Sequence, residues 1–457
     1  MTENAVVQLT RRRTLTAAVL ESRPLALEEG EEGAVTTADR LTRRRVLAAG
    51  LAAGAAVGLG RDTAALRTPF ERADGASWTS PADEVRFLAA VARSAAAVSV
   101  EVIGSSVTGA PLRLARLGAS TGPGLLVLAA QHGNEPAGRE AALQLVRDLA
   151  FTTDPVLRRQ LRAQRVMVVP TANPDGVAAW TRGNAHDADL NRDHLNLREP
   201  ETRALATVLR AERPNVVVDL HEYAPVVPVL YDDELLSLWP RNRNVDRGVH
   251  RLARLLCQDY LTAGARTAGF SADVYGQHKA GGRVTAEVGG SADEGMCRNT
   301  AGLHHRVSVV AETPLHPRIG EPGYQPFPRR RRVAVHRQVL DDCLRFLREQ
   351  TAAIERSSRD AAAAAQRPQP IAFAGSDIDV PARNEIADPP PWGYRLTAEQ
   401  AATVAGALSL HGIRSLPSAD GSVTVPLAQP ARALIGLLLD ARGDRNAVAG
   451  EPLADHA

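Results

Sequence analysis

Two short stretches of the 457-residue chain carry metal-binding chemistry: His132-Gly-Asn-Glu135 and, 86 positions after that glutamate, Asp219-Leu-His221. Imidazole and carboxylate are borderline donors suited to zinc, and a hydrolytic zinc uses three protein ligands and keeps a fourth position for water. His132, Glu135 and His221 supply such a set, enough for one zinc per chain. The apolar run Gly124 to Ala130 reads as a buried parallel strand, and the spacing of apolar residues from Ala137 to Leu149 reads as a helix. His132 and Glu135 therefore emerge on a strand-to-helix turn. A second strand, Val216 to Leu220, ends at His221, which brings the third donor to the carboxyl edge where open α/β sheets bind ligands.

A lone H-x-x-E, or a lone histidine at a strand end, says little. Further elements follow in fixed order: Asn173-Pro-Asp-Gly176, Asp189-Leu-Asn-Arg-Asp193, and a strand Val307 to Ala311 ending in Glu312. With HGNEPAG, NPDG, an arginine followed by DLNRD, then DLHEY and a strand ending in ET, roughly Ser80 to Gln350 resembles the zinc carboxypeptidase family. This is the carboxypeptidase A-like group, to which the succinylglutamate desuccinylase and aspartoacylase branch is related. The resemblance implies His132, Glu135 and His221 as zinc ligands and Glu312 as the catalytic carboxylate. It also implies Arg182 as a contact to the substrate carbonyl, and Asn191 and Arg192 as contacts to a substrate carboxylate. The interval from Glu135 to His221 is shorter than in the digestive enzymes, so the loops that cover substrate do not carry over.

The residue types support the same chemistry on their own. Zinc lowers the pKa of a bound water to about 7, and a carboxylate beside that water can take its proton and pass it to a leaving amine. Glu312 is the first choice for that carboxylate. Glu287, in Thr-Ala-Glu-Val, also ends a short apolar stretch and is its rival; Glu222 points to the opposite side if its segment is extended. Arginine recognises a carboxylate through two parallel hydrogen bonds. Arg192 suits a free C-terminal carboxylate, and Arg182 suits a scissile carbonyl that develops negative charge. Lys279 is the only lysine, so arginine as such is uninformative here and only the motif positions count. Asp219 either orients His221 or faces away from it.

Composition sets the frame. A net charge of +2 implies no nucleic-acid partner, and Arg329 to Arg332 reads as a solvated loop after Pro326 and Pro328. Cys257, Cys297 and Cys343 are too few and scattered for a disulfide framework or a thiolate metal site. Residues 1–66 read as an amino-terminal extension with a signal. Arg43, Arg44 and Arg45 precede the short apolar stretch Leu47 to Gly60, which resembles a twin-arginine export signal and implies a secreted or cell-envelope location. That stretch is too short to be a membrane span, so none is expected in the mature chain. From Ser80 onward, alternating helical and extended segments predict an α/β fold, with a mixed, largely parallel sheet flanked by helices on both faces. The catalytic domain spans 80–356, a Pro- and Ala-rich linker 357–391, and a small C-terminal α/β appendage 392–457.

These readings converge on an exported zinc metallocarboxypeptidase that acts on peptides with a free C-terminal carboxylate, peptidoglycan stem peptides included. The alternatives are a zinc-dependent deacylase or amidase acting on N-acyl amino acids or cell-wall peptides, and a non-catalytic peptide-binding relative.

Overall fold

Every residue of Gly124–Ala129 is buried, which requires cover on both faces of the strand it forms. In the computed structural model this strand, β3, lies inside an eight-stranded sheet built of β1 (Val98–Ser105), β2 (Pro111–Gly118), β3, β4 (Arg165–Val169), β5 (Val216–Tyr223), β6 (Leu235–Leu238), β7 (Ala272–Val274) and β10 (Val307–Pro314). β8 (Gln277–Ala280) and β9 (Arg283–Glu287) pair apart from it. The structure describes residues 66–223, 233–280, 283–287, 290–315 and 328–454, without the side chains of 277–287. All of them belong to the unit that begins at Ala55.

The strand order is β1-β2-β4-β3-β5-β10-β6-β7. β4, β3, β5 and β10 run parallel, while β2 joins β4 and β6 joins β10 antiparallel. The sheet is thus mixed and mostly parallel at its centre. The chain crosses from β3 to β4 on one side and then returns past β3 to β5 on the other, so the connections diverge between β3 and β5. Open α/β sheets have their ligand crevice at such a point.

Alternation along β3 divides the core. Leu125, Val127 and Ala129 pack with Val91 of α1 (Pro81–Ser94), Leu145 of α2 (Ala137–Ala150) and Leu340 and Phe346 of the long α8 (Arg329–Ala364). Leu126 and Leu128 face the opposite side, towards Leu205 and Val208 of α5 (Pro200–Glu212) and Ala301 of α7 (Cys297–Leu303). In chain order, α3 (Pro155–Ala163) and α4 (Pro174–Ala179) come between α2 and α5, and α6 (Arg247–Leu255) between α5 and α7. α6 continues through a wider π turn, Leu256–Thr262, into Ala263–Thr267.

Two expectations need correction. Arg329 to Arg332 opens α8 instead of forming a loop. Arg331 pairs with Glu234, and Arg332 with the buried Glu222. Residues 357–391 are also not a free linker. The alanine run ends α8 at Ala364, as expected of the strongest helix former. Beyond it β11 (Ile371–Ala372) pairs with β12 (Ile386–Ala387), and Asp377 accepts hydrogen bonds from Trp239 Nε1 (2.7 Å), Arg241 Nε (2.7 Å) and His250 Nε2 (3.1 Å).

The last stretch is a four-stranded antiparallel sheet of β13 (Gly393–Leu396), β14 (Leu416–Pro417), β15 (Val423–Pro426) and β16 (Glu451–Leu453), with α9 (Ala398–His411) and α10 (Arg432–Leu439). Its buried Tyr394, Leu434 and Ile435 share one apolar cluster with Leu195, Val249 and Leu303 of the main domain. Thr397 and Gln400 cap α9 reciprocally, as the sequence Thr-Ala-Glu-Gln predicts. Cys257, Cys297 and Cys343 are buried and unpaired. Among the described residues no helix is long and apolar enough to cross a membrane.

Burial alone would raise the Asp377 pKa, but the bonds from His250, Trp239 and Arg241 overrule it and hold it at about 2. Against an unfolded value of about 4, this depression contributes about 2 kcal/mol, fully present above about pH 4 and lost as pH falls towards about 2. Asp377→Asn should therefore cost about 2 kcal/mol of unfolding free energy in urea at neutral pH. The gap to wild type should close across that acid window. A gap that stays constant with pH would show that the ionised carboxylate is not what holds this segment.

Candidate metal centre and substrate cleft

The turn after β3 is unusual before any side chain is considered. Ala130 has φ of 51°, the left-handed region that costs a residue with a Cβ roughly 1–2 kcal/mol. It is held by a backbone bond from Asn173 N to Ala130 O (3.0 Å), while Asn173 Nδ2 donates to Gln131 O (3.1 Å). Gly133 leaves no room for a side chain: a Cβ there would lie 1.9 Å from the carbonyl carbon of Gly176. The HGNE and NPDG stretches thus go together because their backbones touch.

On this turn, His132 and Glu135 meet His221 from the end of β5. His132 Nδ1 is 2.8 Å from Glu135 Oε1, His221 Nδ1 is 2.9 Å from Glu135 Oε2, and the two Nδ1 atoms are 3.1 Å apart. All three side chains are buried, and one donor atom from each lies within 4.8 Å of the others. The outer nitrogens face carboxylates: His132 Nε2 is 3.0 Å from Asp189 Oδ1, and His221 Nε2 is 2.8 Å from Asp219 Oδ2. These charged acceptors place a proton on each Nε2. With neutral rings, two Nδ1 lone pairs and a carboxylate then converge, with only Arg182 Nη1, 3.3 Å from His132 Nδ1, reaching towards them, an arrangement that a cation resolves. The donor set fits zinc, and the Asp189 and Asp219 contacts are of the kind that orient metal-bound histidines.

The electrostatics agree. Burial pushes His221 and His132 down, but Asp219 and Glu135 more than reverse this and raise both. Burial opposes ionisation of Glu135, yet the two histidines hold it well below the usual carboxylate range. Without a metal, protons on the imidazoles supply the positive charge that the site is built around.

Glu312 sits in register with His221 across the parallel pair β5 and β10. Its carboxyl has no hydrogen-bond partner among the described residues. Burial raises its pKa to about 7, with the charge of Glu135 adding to the rise and that of His221 opposing it. Glu222 does face away from the site, accepting bonds from Ala137 N (2.9 Å) and Arg332 Nη1 (2.5 Å), while its own backbone N–H donates to Glu135 Oε2 (3.0 Å). The side chain of Glu287 lies outside the described residues.

Arg182 is half-exposed. It donates to Asp189 Oδ2 through Nη2 (2.8 Å) and Nε (3.1 Å), with Nη1 3.5 Å from Glu135. Arg192 bonds the Asn191 carbonyl through Nη1 (2.8 Å) and lies 3.5 Å from Asp293 through Nε. Its Nη2 has no partner among the described residues. Asn191 is turned inward: its Oδ1 accepts from Cys297 N (2.8 Å), and its Nδ2 is 3.1 Å from His221 Nε2. The structure thus packs Asn191 against a candidate metal ligand and leaves Arg192 partly exposed, with Nη1 4.0 Å from Asp189.

Sequence reasoning left several functional neighbours unassigned. Asp189 stood in the quoted motif without a role. Asp219 had one of its two readings realised, and it also accepts from Gln131 Nε2 (2.8 Å), whose Oε1 is 2.7 Å from His194 Nε2. Asp293 and Arg445, joined at 2.5 Å, carried no local signal, because they are 152 positions apart. Asp219→Ala should weaken zinc binding by about 10- to 100-fold in competition with a chromophoric chelator, since His221 loses the anchor of its outer nitrogen. Wild-type affinity in that variant would remove Asp219 from the account.

Residues 85–301 match the family model described as zinc carboxypeptidase. The chain is 31% identical over 191 residues to Carboxypeptidase 2 of Trichophyton tonsurans, covering 40% of this chain and 35% of that protein. It is 34% identical over 147 residues to Carboxypeptidase SOL1 of Arabidopsis thaliana, covering 28% and 30% respectively. A metallo-carboxypeptidase structure from Burkholderia cenocepacia aligns at 20% identity with a TM-score of 0.48, covering 59% of this chain and 70% of that one. The chain thus spans about a third of the length of the curated relatives it matches. Through residues 85–301, the chain is similar to the zinc carboxypeptidase family.

Proposed function

We propose that this chain is an exported metallocarboxypeptidase that holds one zinc ion on His132, Glu135 and His221 and removes the C-terminal residue of peptides. The observation that carries the reading is the convergence of the two Nδ1 atoms and the Glu135 carboxylate beside an unpartnered Glu312, with the partly exposed Arg192 4.0 Å from Asp189. Zinc at that position supplies a water acidic enough to act as a nucleophile at neutral pH.

The remaining steps belong to the protein. Glu312 takes a proton from the water and returns it to the leaving amine, the role of a carboxylate with pKa near the working pH. A cation nearby favours its ionised form, so activity should fall with acidification through a value below about 7. Arg182, anchored by Asp189, directs its charge to the scissile carbonyl as negative charge develops there. Arg192 uses its unbonded Nη2 to receive the terminal carboxylate, with Asn191 beside it.

Export rests on Arg43, Arg44 and Arg45 before the short apolar run, all outside the described residues. A reporter fused to residues 1–66 should cross the membrane only while these arginines are intact, and export that survives their replacement by lysine contradicts this.

The catalytic reading is tested by comparing kcat/KM for one peptide as free acid and as C-terminal amide. Wild type should prefer the acid by roughly ten- to a hundred-fold, the range expected when a charged hydrogen-bond pair is lost. Arg192→Ala should shrink that preference, and Glu312→Gln should bind zinc normally while losing hydrolysis of both. Equal cleavage of acid and amide by the wild type would favour the amidase alternative. Near-normal rates in Glu312→Gln would move the proton acceptor elsewhere.

A further inference from the structure

A second feature of the fold is independent of this chemistry. Where α5, α7 and α8 meet α9 lies a cavity of about 830 Å³. Among its lining residues is His194, which reaches the candidate zinc ligand His221 through Gln131 and Asp219. The cavity thus connects to the metal centre through this chain of contacts, and none of His132, Glu135, His221 or Glu312 lines it.

Its charge is one-sided. Arg210, Arg213, Arg306 and Arg359 line it, and Glu355 is the only carboxylate among the lining residues. Arg210 is tied to the Ser409 carbonyl. The other three guanidinium groups have neither a hydrogen bond nor an ion pair with any described residue. Arg306 is half-buried, and enclosure, then the nearby charge of Arg213, pushes its pKa down to about 10. Next to it the buried Nδ1 of His305 has no partner. Like charges gathered in a partly enclosed space repel strongly, and a protein usually places acids among them or leaves them for a ligand. Here Glu355 is the one acid among four arginines. Leu197, Leu209 and Pro430 add apolar wall, as in sites that hold the body of an organic ligand.

We propose that this cavity binds a small organic anion, seated by its phosphate or dicarboxylate head on Arg306, with the exposed Arg213 and Arg359 closing the rim. The planar guanidinium fork matches both head groups bidentately.

Calorimetric titration of the zinc-loaded full chain at low salt tests this, with inorganic phosphate in one arm and succinate in the other. At least one probe should bind in the millimolar range or tighter, and the better one names the head group. Arg306→Gln should weaken that binding by about ten-fold or more, while zinc content and peptide hydrolysis stay at wild-type levels. Arg213→Gln, at an exposed position, should weaken it in the same direction and keeps the test valid should Arg306→Gln fold poorly. Absence of binding by both probes, or affinity unchanged in both variants because the anions sit on zinc, would overturn the proposal.

Discussion

Two imidazole nitrogens 3.1 Å apart, each on a ring whose other nitrogen is tied to a carboxylate, cannot both present lone pairs to one another and to Glu135 without a positive charge between them. Much of the structure serves this constraint. β3 and β5 are neighbours with both faces covered, so the residues that leave their carboxyl ends are held by a rigid sheet. The left-handed Ala130 and the contact between Gly133 and Gly176 fix the turn that brings His132 and Glu135 back over β5. Asp219, Gln131 and His194 form a buried chain behind His221, and burial keeps His194 on the neutral side by lowering its pKa.

Most of the fold was legible because its strands are continuous apolar runs and its helices have regular apolar spacing. The candidate metal donors were legible because H-x-x-E sits at the junction of one such run and one such helix. Other features depend on contacts distant in sequence. The inward turn of Asn191 is set by the Cys297 backbone, more than a hundred residues away, and nothing in DLNRD announces it. Arg329 to Arg332 looked like a solvated cluster because prolines precede it, but a proline before a helix is an ordinary start. What draws Arg331 and Arg332 inward is Glu234 and the buried Glu222, while Arg329 and Arg330 stay exposed. The alanine run after residue 360 reads as low complexity, whereas helix propensity makes it the last turn of α8.

The C-terminal stretch bears directly on the cleft. Arg445 pairs with Asp293 and donates to the Arg192 carbonyl (3.3 Å), so the piece that sequence set apart as an appendage reaches the arginine proposed to receive substrate. Together with the docked Asp377, this ties residues 365–454 to the main domain.

The central claim is the identity of the three donors, and anomalous diffraction at the zinc edge from zinc-loaded crystals tests it most directly. The account predicts one strong peak bonded to Nδ1 of His132, Nδ1 of His221 and the Glu135 carboxylate, at about 2.0–2.2 Å from each. A peak bonded to other side chains, or zinc held by the Nε2 atoms with Asp189 and Asp219 displaced, would contradict it.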